Sequence, residues 1–402
     1  MKAFAALCDD LTGSSVQAIL LKERGLPVRQ VIRPEGGIKP PAPGEVLSVN
    51  CDTRRLSPQE AEAVISRLLS ILPPDVAVGK RVDTTLRGHL LLETSTILAA
   101  RPRAAALVVP AYPPSGRITV GGYHLLDGSL LERTEAARDP LWPIRSSYVP
   151  GYFGEALPCG QLPMETVKLG PKAAASALSE ILSGGVRVIA CDAMTMEDIE
   201  NIAGAAASLP FEIIPVDPGP FTAAFVARKL GAPPSRAVLA VIGSASAKTA
   251  GQIAWAEARL KCAAFTLTPG ESLEDALPKL KSFIEGLGGD EDFVLIRPSR
   301  QVVAGAEEAT SASLAALGLE ALHSLGDRVC GILLSGGDTA AVFFEAADAS
   351  SLAPLEEIQP LIMGGRILDG ELAGFPVVTK GGLIGGEDGI FRAVRWLKKE
   401  RN

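Results

Sequence analysis

Three times in the first hundred residues, a short apolar run breaks off into a cluster of charges and is followed by a helical repeat. Residues 3–7 end in Asp9-Asp10-Leu11-Thr12-Gly13, ahead of an amphipathic pattern over 14–24. Residues 45–50 end in Cys51-Asp52-Thr53-Arg54-Arg55, ahead of a helix over 57–72 that Ser57-Pro58 opens. Residues 76–78 lead into Lys80-Arg81-Val82-Asp83-Thr84-Thr85-Leu86-Arg87-Gly88, ahead of a helical pattern over 90–100. Strand, polar loop and helix are the repeating unit of an α/β fold, a mostly parallel sheet flanked by helices, and such sheets bind ligands at the carboxyl ends of their strands. Capping of a helix N-terminus explains one such cluster. Its recurrence at three successive strand ends argues for a site.

The third loop carries the densest chemistry. Its polarity argues against a buried strand, so Lys80 and Arg81 are assigned to the loop with the rest. Two guanidinium groups, an ammonium and a carboxylate there suit an acidic ligand, because arginine grips carboxylate or phosphate in a planar fork. Adjacent carboxylates such as Asp9 and Asp10 repel each other, which calls for a metal, a cationic partner or a base with a raised pKa. A fourth apolar run, 105–109, feeds a segment over 110–160 rich in Pro and Gly, and loops of that length are usually functional. Inside it, 120–130 reads as a hairpin turning at Asp127-Gly128. Arg117, Arg138 and Asp139 are candidates to face the site, and His124 reads as a polar hairpin position.

The alternation continues through 186–190 and 211–216 to Asp217-Pro218-Gly219-Pro220-Phe221. Gly231-Ala232-Pro233-Pro234-Ser235-Arg236 has a linker's composition and sets two domains, 1–231 and 237–402. In the second, strands over 237–242, 329–334 and 376–379 end in Gly243-Ser244-Ala245-Ser246, Ser335-Gly336-Gly337-Asp338-Thr339 and Lys380-Gly381-Gly382, with a helix over 306–325 among them. Backbone N–H groups at such turns cradle phosphates, and Lys380 is a natural phosphate partner. Neither a Walker-type loop nor a dinucleotide fingerprint is present. The 402 residues, 47% hydrophobic, suffice for two cores. A net charge of −7 disfavours nucleic acid and anionic membranes as partners. No apolar run approaches the roughly 18 residues a membrane helix needs, and two aspartates interrupt the start before a signal-peptide core can form, so the cytoplasm is the expected compartment. Six scattered cysteines read as buried thiols.

Taken together, these motifs resemble the four-carbon acid sugar kinase family, two-domain ATP-dependent kinases acting on threonate, erythronate or 3-oxo-tetronate, over nearly the whole chain. The resemblance implies an active site in the interdomain cleft, with the sugar acid held by the N-terminal domain through Asp9, Asp10, Arg54, Lys80, Asp83, Thr84, Thr85 and Arg87. Asp10 or Asp83 would orient or deprotonate the accepting hydroxyl, and Arg54 or Arg87 would hold the substrate carboxylate. The C-terminal domain would hold ATP through Ser244, Gly336, Gly337, Asp338, Thr339, Lys380, Gly381 and Gly382, with Mg²⁺ bridging the phosphates and Asp338 as its ligand. The partners are then a small sugar acid and ATP, with a homo-oligomer left open. The chain has Ser14-Ser15-Val16 where the family commonly has Ala-Asn-Asp, and Leu383-Ile384 where it has a glycine and a phenylalanine. Other readings stay open: a kinase of another hydroxy acid or polyol, a nucleotide-gated binding protein without turnover, and a metal-dependent sugar-acid lyase that would leave the glycine turns unexplained.

Overall fold

The strand β1 (Ala3–Cys8) is buried along its whole length, the mark of a strand inside a parallel sheet covered on both faces. The structure is a computed structural model, and it describes residues 1–34, 37–154, 157–232, 236–289, 291–299 and 307–400. The chain divides into two compact units, Met1–Pro233 and Pro234–Asn402. Pro233, Pro234 and Ser235 of the linker-like stretch, and the first residue of the helix expected over 306–325, lie outside the described residues. Both units are α/β, with mostly parallel sheets flanked by helices, as the alternation predicts.

In the first unit, β1 is joined by β2 (Val28–Val31), β3 (Val46–Asn50), β4 (Val76–Arg81), β5 (Ala104–Val108), β6 (Arg117–Val120), β7 (Tyr123–Leu126), β8 (Ser129–Leu130), β9 (Cys159–Leu162), β10 (Val188–Cys191) and β11 (Glu212–Asp217). Its helices are α1 (Leu11–Glu23), α2 (Pro58–Ile71), α3 (Leu90–Ala100), α4 (Met164–Lys168), α5 (Pro171–Ser183), α6 (Met196–Ser208) and α7 (Pro220–Leu230). The large sheet runs β2-β3-β1-β4-β11-β5-β10-β9 with parallel pairing throughout. Phe4 and Ala6 face a layer that includes Leu21 of α1, Leu178 of α5, Ile202 of α6 and Phe225 of α7. Ala5 and Leu7 face Ile65 of α2 and Ile97 of α3. The helices after β1 and β4 therefore leave on opposite faces of neighbouring strands, which opens a crevice at their carboxyl ends, the place where such sheets bind ligands.

Strand parity corrects one expectation. Lys80 and Arg81 are not loop residues but the last pair of β4, paired with Leu7 and Cys8 of β1. Lys80 follows Val76 and Val78 onto the α2/α3 face, where it is wholly buried and its Nζ lies 2.8 Å from Glu93 Oε2 of α3. Burial alone would lower its pKa, but Glu93 outweighs that and raises it. Arg81 emerges on the α1 face instead. Lys80 is thus half of a buried ion pair inside the layer.

The second unit contains β12 (Ala237–Ile242), β13 (Cys262–Leu267), β14 (Phe293–Pro298), β15 (Val329–Ser335), β16 (Leu352–Gln359), β17 (Ile362–Ile367) and β18 (Pro376–Lys380). Its helices are α8 (Ala247–Glu257), α9 (Leu273–Glu285), α10 (Glu307–Leu325), α11 (Gly337–Ala346) and α12 (Gly389–Glu400). The sheet order is β13-β14-β12-β15-β18-β17-β16, with only the β16 and β17 pairings antiparallel. The three strands that end in glycine turns, β12, β15 and β18, are therefore immediate neighbours. α8 and α12 pack on one face, and α9, α10 and α11 on the other. Among the described residues no helix is long and apolar enough to cross a membrane, and all six cysteines are free.

Removing one member of a buried ion pair strands the other charge in low dielectric, at a cost of about 3–5 kcal/mol, whereas removing both is often near neutral. Lys80→Met is expected to lower the urea midpoint by that order, and Lys80→Met with Glu93→Leu to restore most of it.

Candidate active site

At the β1/β4 crevice the charges are cross-braced. Asp9 and Asp10 follow β1, and Asp10 caps α1 by accepting from the Gly13 N–H at 2.7 Å. Arg81 bridges the two carboxylates from below, with Nη1 at 3.2 Å from Asp9 Oδ1 and 3.1 Å from Asp10 Oδ1. Arg54 bridges them from the side, with Nη2 at 2.8 Å from Asp9 Oδ2 and Nη1 at 3.1 Å from Asp10 Oδ2. Two guanidinium groups thus answer the repulsion of the adjacent acids. The approach needs a glycine, because a β-carbon at Gly13 would run into the Arg81 guanidinium. It also needs Asp52 in the left-handed region, φ 51°, which turns the chain back after β3 so that the Arg54 N–H donates to the Asp9 carbonyl.

Asp83 closes the network from the loop after β4. Its carboxylate takes Arg87 Nε at 2.7 Å and Nη2 at 3.0 Å, together with the N–H and hydroxyl of Thr85, and Arg54 Nη2 stands 3.5 Å away. Burial would push this carboxyl up, yet the bonds from Arg87 and Thr85 and the Arg54 charge outweigh it and hold it well below the usual carboxylate range. A carboxylate so held stays ionised and bound to its partners. Asp10, with a side chain 26% exposed against 3% for Asp9, is the accessible acid of the cluster. The forks of Arg54 and Arg87 are engaged by aspartates, so neither is a vacant carboxylate clamp. Arg87, 33% exposed, keeps the more open edge. Leu86 adopts φ 63° and Gly88 φ 104°, so the 83–88 loop is a tight, strained turn entering α3.

The segment over 110–160 fastens this cluster at three points. It folds as two successive hairpins, β6-β7-β8, turning at Gly121-Gly122 as well as at the expected Asp127-Gly128. His124 is buried rather than displayed. Its Nε2 donates to the Thr84 carbonyl at 3.1 Å, so Nδ1 accepts from the Thr119 hydroxyl at 3.0 Å. Burial lowers its pKa to about 4, which keeps this neutral arrangement. The Asp139 carboxylate pairs with Arg87 Nη1 at 3.0 Å, and Trp142 Nε1 donates to the Arg54 carbonyl at 2.7 Å. Of the three residues expected to face the site from this segment, Asp139 reaches it, while Arg117 turns to the Ser115 carbonyl. Arg81, read as one of the loop's two guanidinium groups for an acidic ligand, instead braces Asp9 and Asp10 from the end of β4, and Trp142 escaped the sequence reading. Alternation along 76–81 carried the signal for the first; nothing local carried one for the second.

In the second unit the glycine turns interlock. Gly243 follows β12, and a β-carbon there would strike the Thr339 hydroxyl. Thr339 is buried in the first turn of α11, whose N-cap, Gly336, has no side chain to satisfy the open N–H groups. Ser246 caps α8 and donates to the Gly382 carbonyl at 2.7 Å, as does Thr249 at 2.7 Å. Ser244 packs against Gly382, which has no room for a β-carbon. Lys380 is the last residue of β18 rather than part of the turn, and its ammonium points inward to Thr249 Oγ1 at 3.3 Å, Ser335 Oγ at 3.2 Å and the Gly381 carbonyl at 3.0 Å. No carboxylate among the described residues pairs with it, and burial together with the Lys248 charge lowers its pKa to about 8. Asp338 is exposed beside Gly337. Uncapped N–H groups, hydroxyls and an unpaired cation form an anion cradle. Sequence reading named Lys380, the glycines and the turns that contain Ser335 and Ser246, but not Thr249, which completes it.

Two adjoining family models match the chain. A sugar-binding N-terminal domain covers residues 4–225, and a nucleotide-binding C-terminal domain covers 239–390. D-erythronate kinase of Heliobacterium modesticaldum is 32% identical over 99% of this chain and 97% of its own length. D-threonate kinase of Bordetella bronchiseptica is 27% identical over 98% and 97%. A crystal structure of a domain of unknown function from Bordetella bronchiseptica, a domain-swapped dimer with bound citrate, aligns with TM-score 0.62 at 27% identity over 99% of both chains. The chain belongs to the four-carbon acid sugar kinase family.

Because Asp83 is held ionised, it contributes stability that is complete above about pH 4, the ordinary carboxylate range, and is lost as the pH falls toward its depressed folded value. Urea midpoints measured from pH 7 down to 2.5 are expected to fall more shallowly for Asp83→Asn than for the unaltered protein.

Proposed function

We propose that this chain is a cytoplasmic ATP-dependent kinase that phosphorylates the terminal hydroxyl of a four-carbon sugar acid of the erythronate or threonate type. The observation that carries the reading is the braced Asp9-Asp10 pair at the β1/β4 crevice, in which Asp10 alone is accessible while two guanidinium groups fix its orientation. The relatives named as D-erythronate and D-threonate kinases support the acceptor class.

In this reading Asp10 accepts the hydrogen bond of the reacting hydroxyl and aims it. Asp9, Arg54, Arg81 and Asp83 position Asp10. The open edge of Arg87 and the Thr84-Thr85 turn meet the acid end of the substrate. In the second unit the N-terminus of α11, Ser244 and the Gly381-Gly382 turn receive the phosphates, and Lys380 lends positive charge from beneath them. Phosphoryl transfer asks little covalent chemistry of the protein, so positioning and charge neutralisation carry most of the rate. Magnesium is usually held by one or two carboxylates together with the phosphates themselves, and the exposed Asp338 beside the cradle fits that mode. The ion would neutralise phosphate charge.

The test is acceptor-dependent ADP release with Mg-ATP against D- and L-erythronate, D- and L-threonate, 3-oxo-tetronates and longer sugar acids. Asp10→Asn is expected to lower kcat by about 10²–10⁴ with the fold retained, as checked by circular dichroism; near-normal turnover would remove Asp10 from the reaction. Gln30 Nε2 ties down Ser14 and Ser15, at 2.8 and 2.9 Å from their hydroxyls, where the family commonly has Ala and Asn, and Val16 stands where it has Asp. That difference favours including larger hydroxy acids in the panel.

Lys380 supplies a pH signature. Its charge is present below about pH 8 and is lost above it. ADP affinity measured by calorimetry from pH 7.5 to 9.5 is expected to fall as the pH rises, and Lys380→Met to flatten that slope.

A further inference from the structure

We infer that Asp139 holds Arg87 as a stand-in for the substrate's own carboxylate, and that the acid binds by taking its place and releasing the strap over 137–143. This inference rests on the sugar-acid reading above and deepens it, because it says how a site whose arginines are already engaged admits an acid.

Charge supplies the first argument. Ion pairs at the crevice join four carboxylates, those of Asp9, Asp10, Asp83 and Asp139, to three guanidinium groups, those of Arg54, Arg81 and Arg87. Negative charge is in excess by one. A sugar acid bound beside this cluster would add a fifth carboxylate to a half-buried site, where like charges repel. Exchange of one carboxylate for another leaves the balance as it was.

The four are not equally free to leave. Asp9 and Asp10 follow β1 directly, and Asp10 caps α1. Asp83 is held by two nitrogens of Arg87 and by the N–H and hydroxyl of Thr85. Asp139 reaches Arg87 through one oxygen, Oδ2 at 3.0 Å from Nη1, and from a loop outside the sheet and its helices. The Ile144 N–H donates to the Ala136 carbonyl at 3.1 Å and closes the base of that loop, where Ile144 is buried. Beyond the base, Arg138, Pro140, Leu141 and Pro143 are exposed.

The tip of the strap moves as a piece. Asp139 Oδ1 accepts from the Leu141 N–H at 3.0 Å and the Trp142 N–H at 2.8 Å, while Pro140 and Pro143 fix φ within the same turn. Trp142 makes the other hold. Its Nε1 donates to the Arg54 carbonyl at 2.7 Å, and its ring meets that of His89 edge-on with centroids 4.6 Å apart. Release of Asp139 from Arg87 therefore unseats the indole, and Trp142 reports the exchange.

The experiment measures binding of D-erythronate and D-threonate by calorimetry, without nucleotide, for the unaltered protein and Asp139→Asn. Tryptophan emission is followed in the unaltered protein and Trp142→Phe, and thermal unfolding confirms each fold. Asparagine keeps the Oδ1 acceptor of the turn and removes the charge. It is expected to tighten acid binding about fivefold, because a closed strap lowers the apparent affinity by the fraction of sites it occupies. The acid is expected to shift the emission of the unaltered protein to the red and to leave Trp142→Phe unmoved. Erythritol, with the same carbon chain and no carboxylate, is expected to shift neither. Weaker or unchanged acid binding by folded Asp139→Asn overturns the exchange while the acid site stands. Tighter binding without the emission shift overturns it too, since the acid then sits beside Asp139, and so does a shift with erythritol. Should Asp139→Asn not fold, the emission measurements decide alone. If neither acid binds either protein, the exchange and the sugar-acid reading fall together.

Discussion

Two adjacent carboxylates at the end of one strand repel each other, and the first unit is built to hold them together. Arg81 does so from the neighbouring strand and Arg54 from the turn after the next. Each places a demand on its surroundings: a glycine at position 13 for the approach of Arg81, a left-handed Asp52 for the return of Arg54, and an unbroken register between β1 and β4. A one-residue slip of β4 would exchange Lys80 and Arg81 between faces. It would leave the aspartates unbraced and strand Glu93 among apolar side chains. The site and the layer beneath it are therefore specified by the same pairing.

The second unit handles charge in the opposite way. It gathers hydroxyls, open backbone N–H groups and a single buried lysine, and places no carboxylate on that lysine among the described residues. An ammonium buried against neutral partners costs free energy. The lowered pKa of Lys380 records that cost, and a bound anion would relieve it. Both units put their chemistry where neighbouring strands send helices to opposite faces, so one topological rule serves two unlike chemistries.

The α/β architecture was legible because buried parallel strands leave continuous apolar runs and their loops concentrate polar residues. Several elements left no such trace. Val28–Val31 is half-buried, and Leu352–Gln359 is largely exposed, so neither has an apolar run. Lys80 was misread because polarity was taken as exposure. A lysine inside a layer is unreadable without its partner, and Glu93 lies on a different element. The setting of Asp83 likewise depends on long-range neighbours: its carboxylate is held ionised by Arg87, Thr85 and Arg54, and only the first two are close in sequence. Trp142 and His124 act through the fold rather than through any local pattern.

These last two residues share a property that matters beyond their distances. Both anchor the site by a backbone carbonyl, His124 that of Thr84 and Trp142 that of Arg54. Every amino acid carries that oxygen. The tether is therefore blind to which side chain stands at position 84, so that side chain is free to change over evolutionary time without loosening the loop that carries it. Scaffold and surface are separately heritable here, because the one is held through backbone and the other is made of side chains.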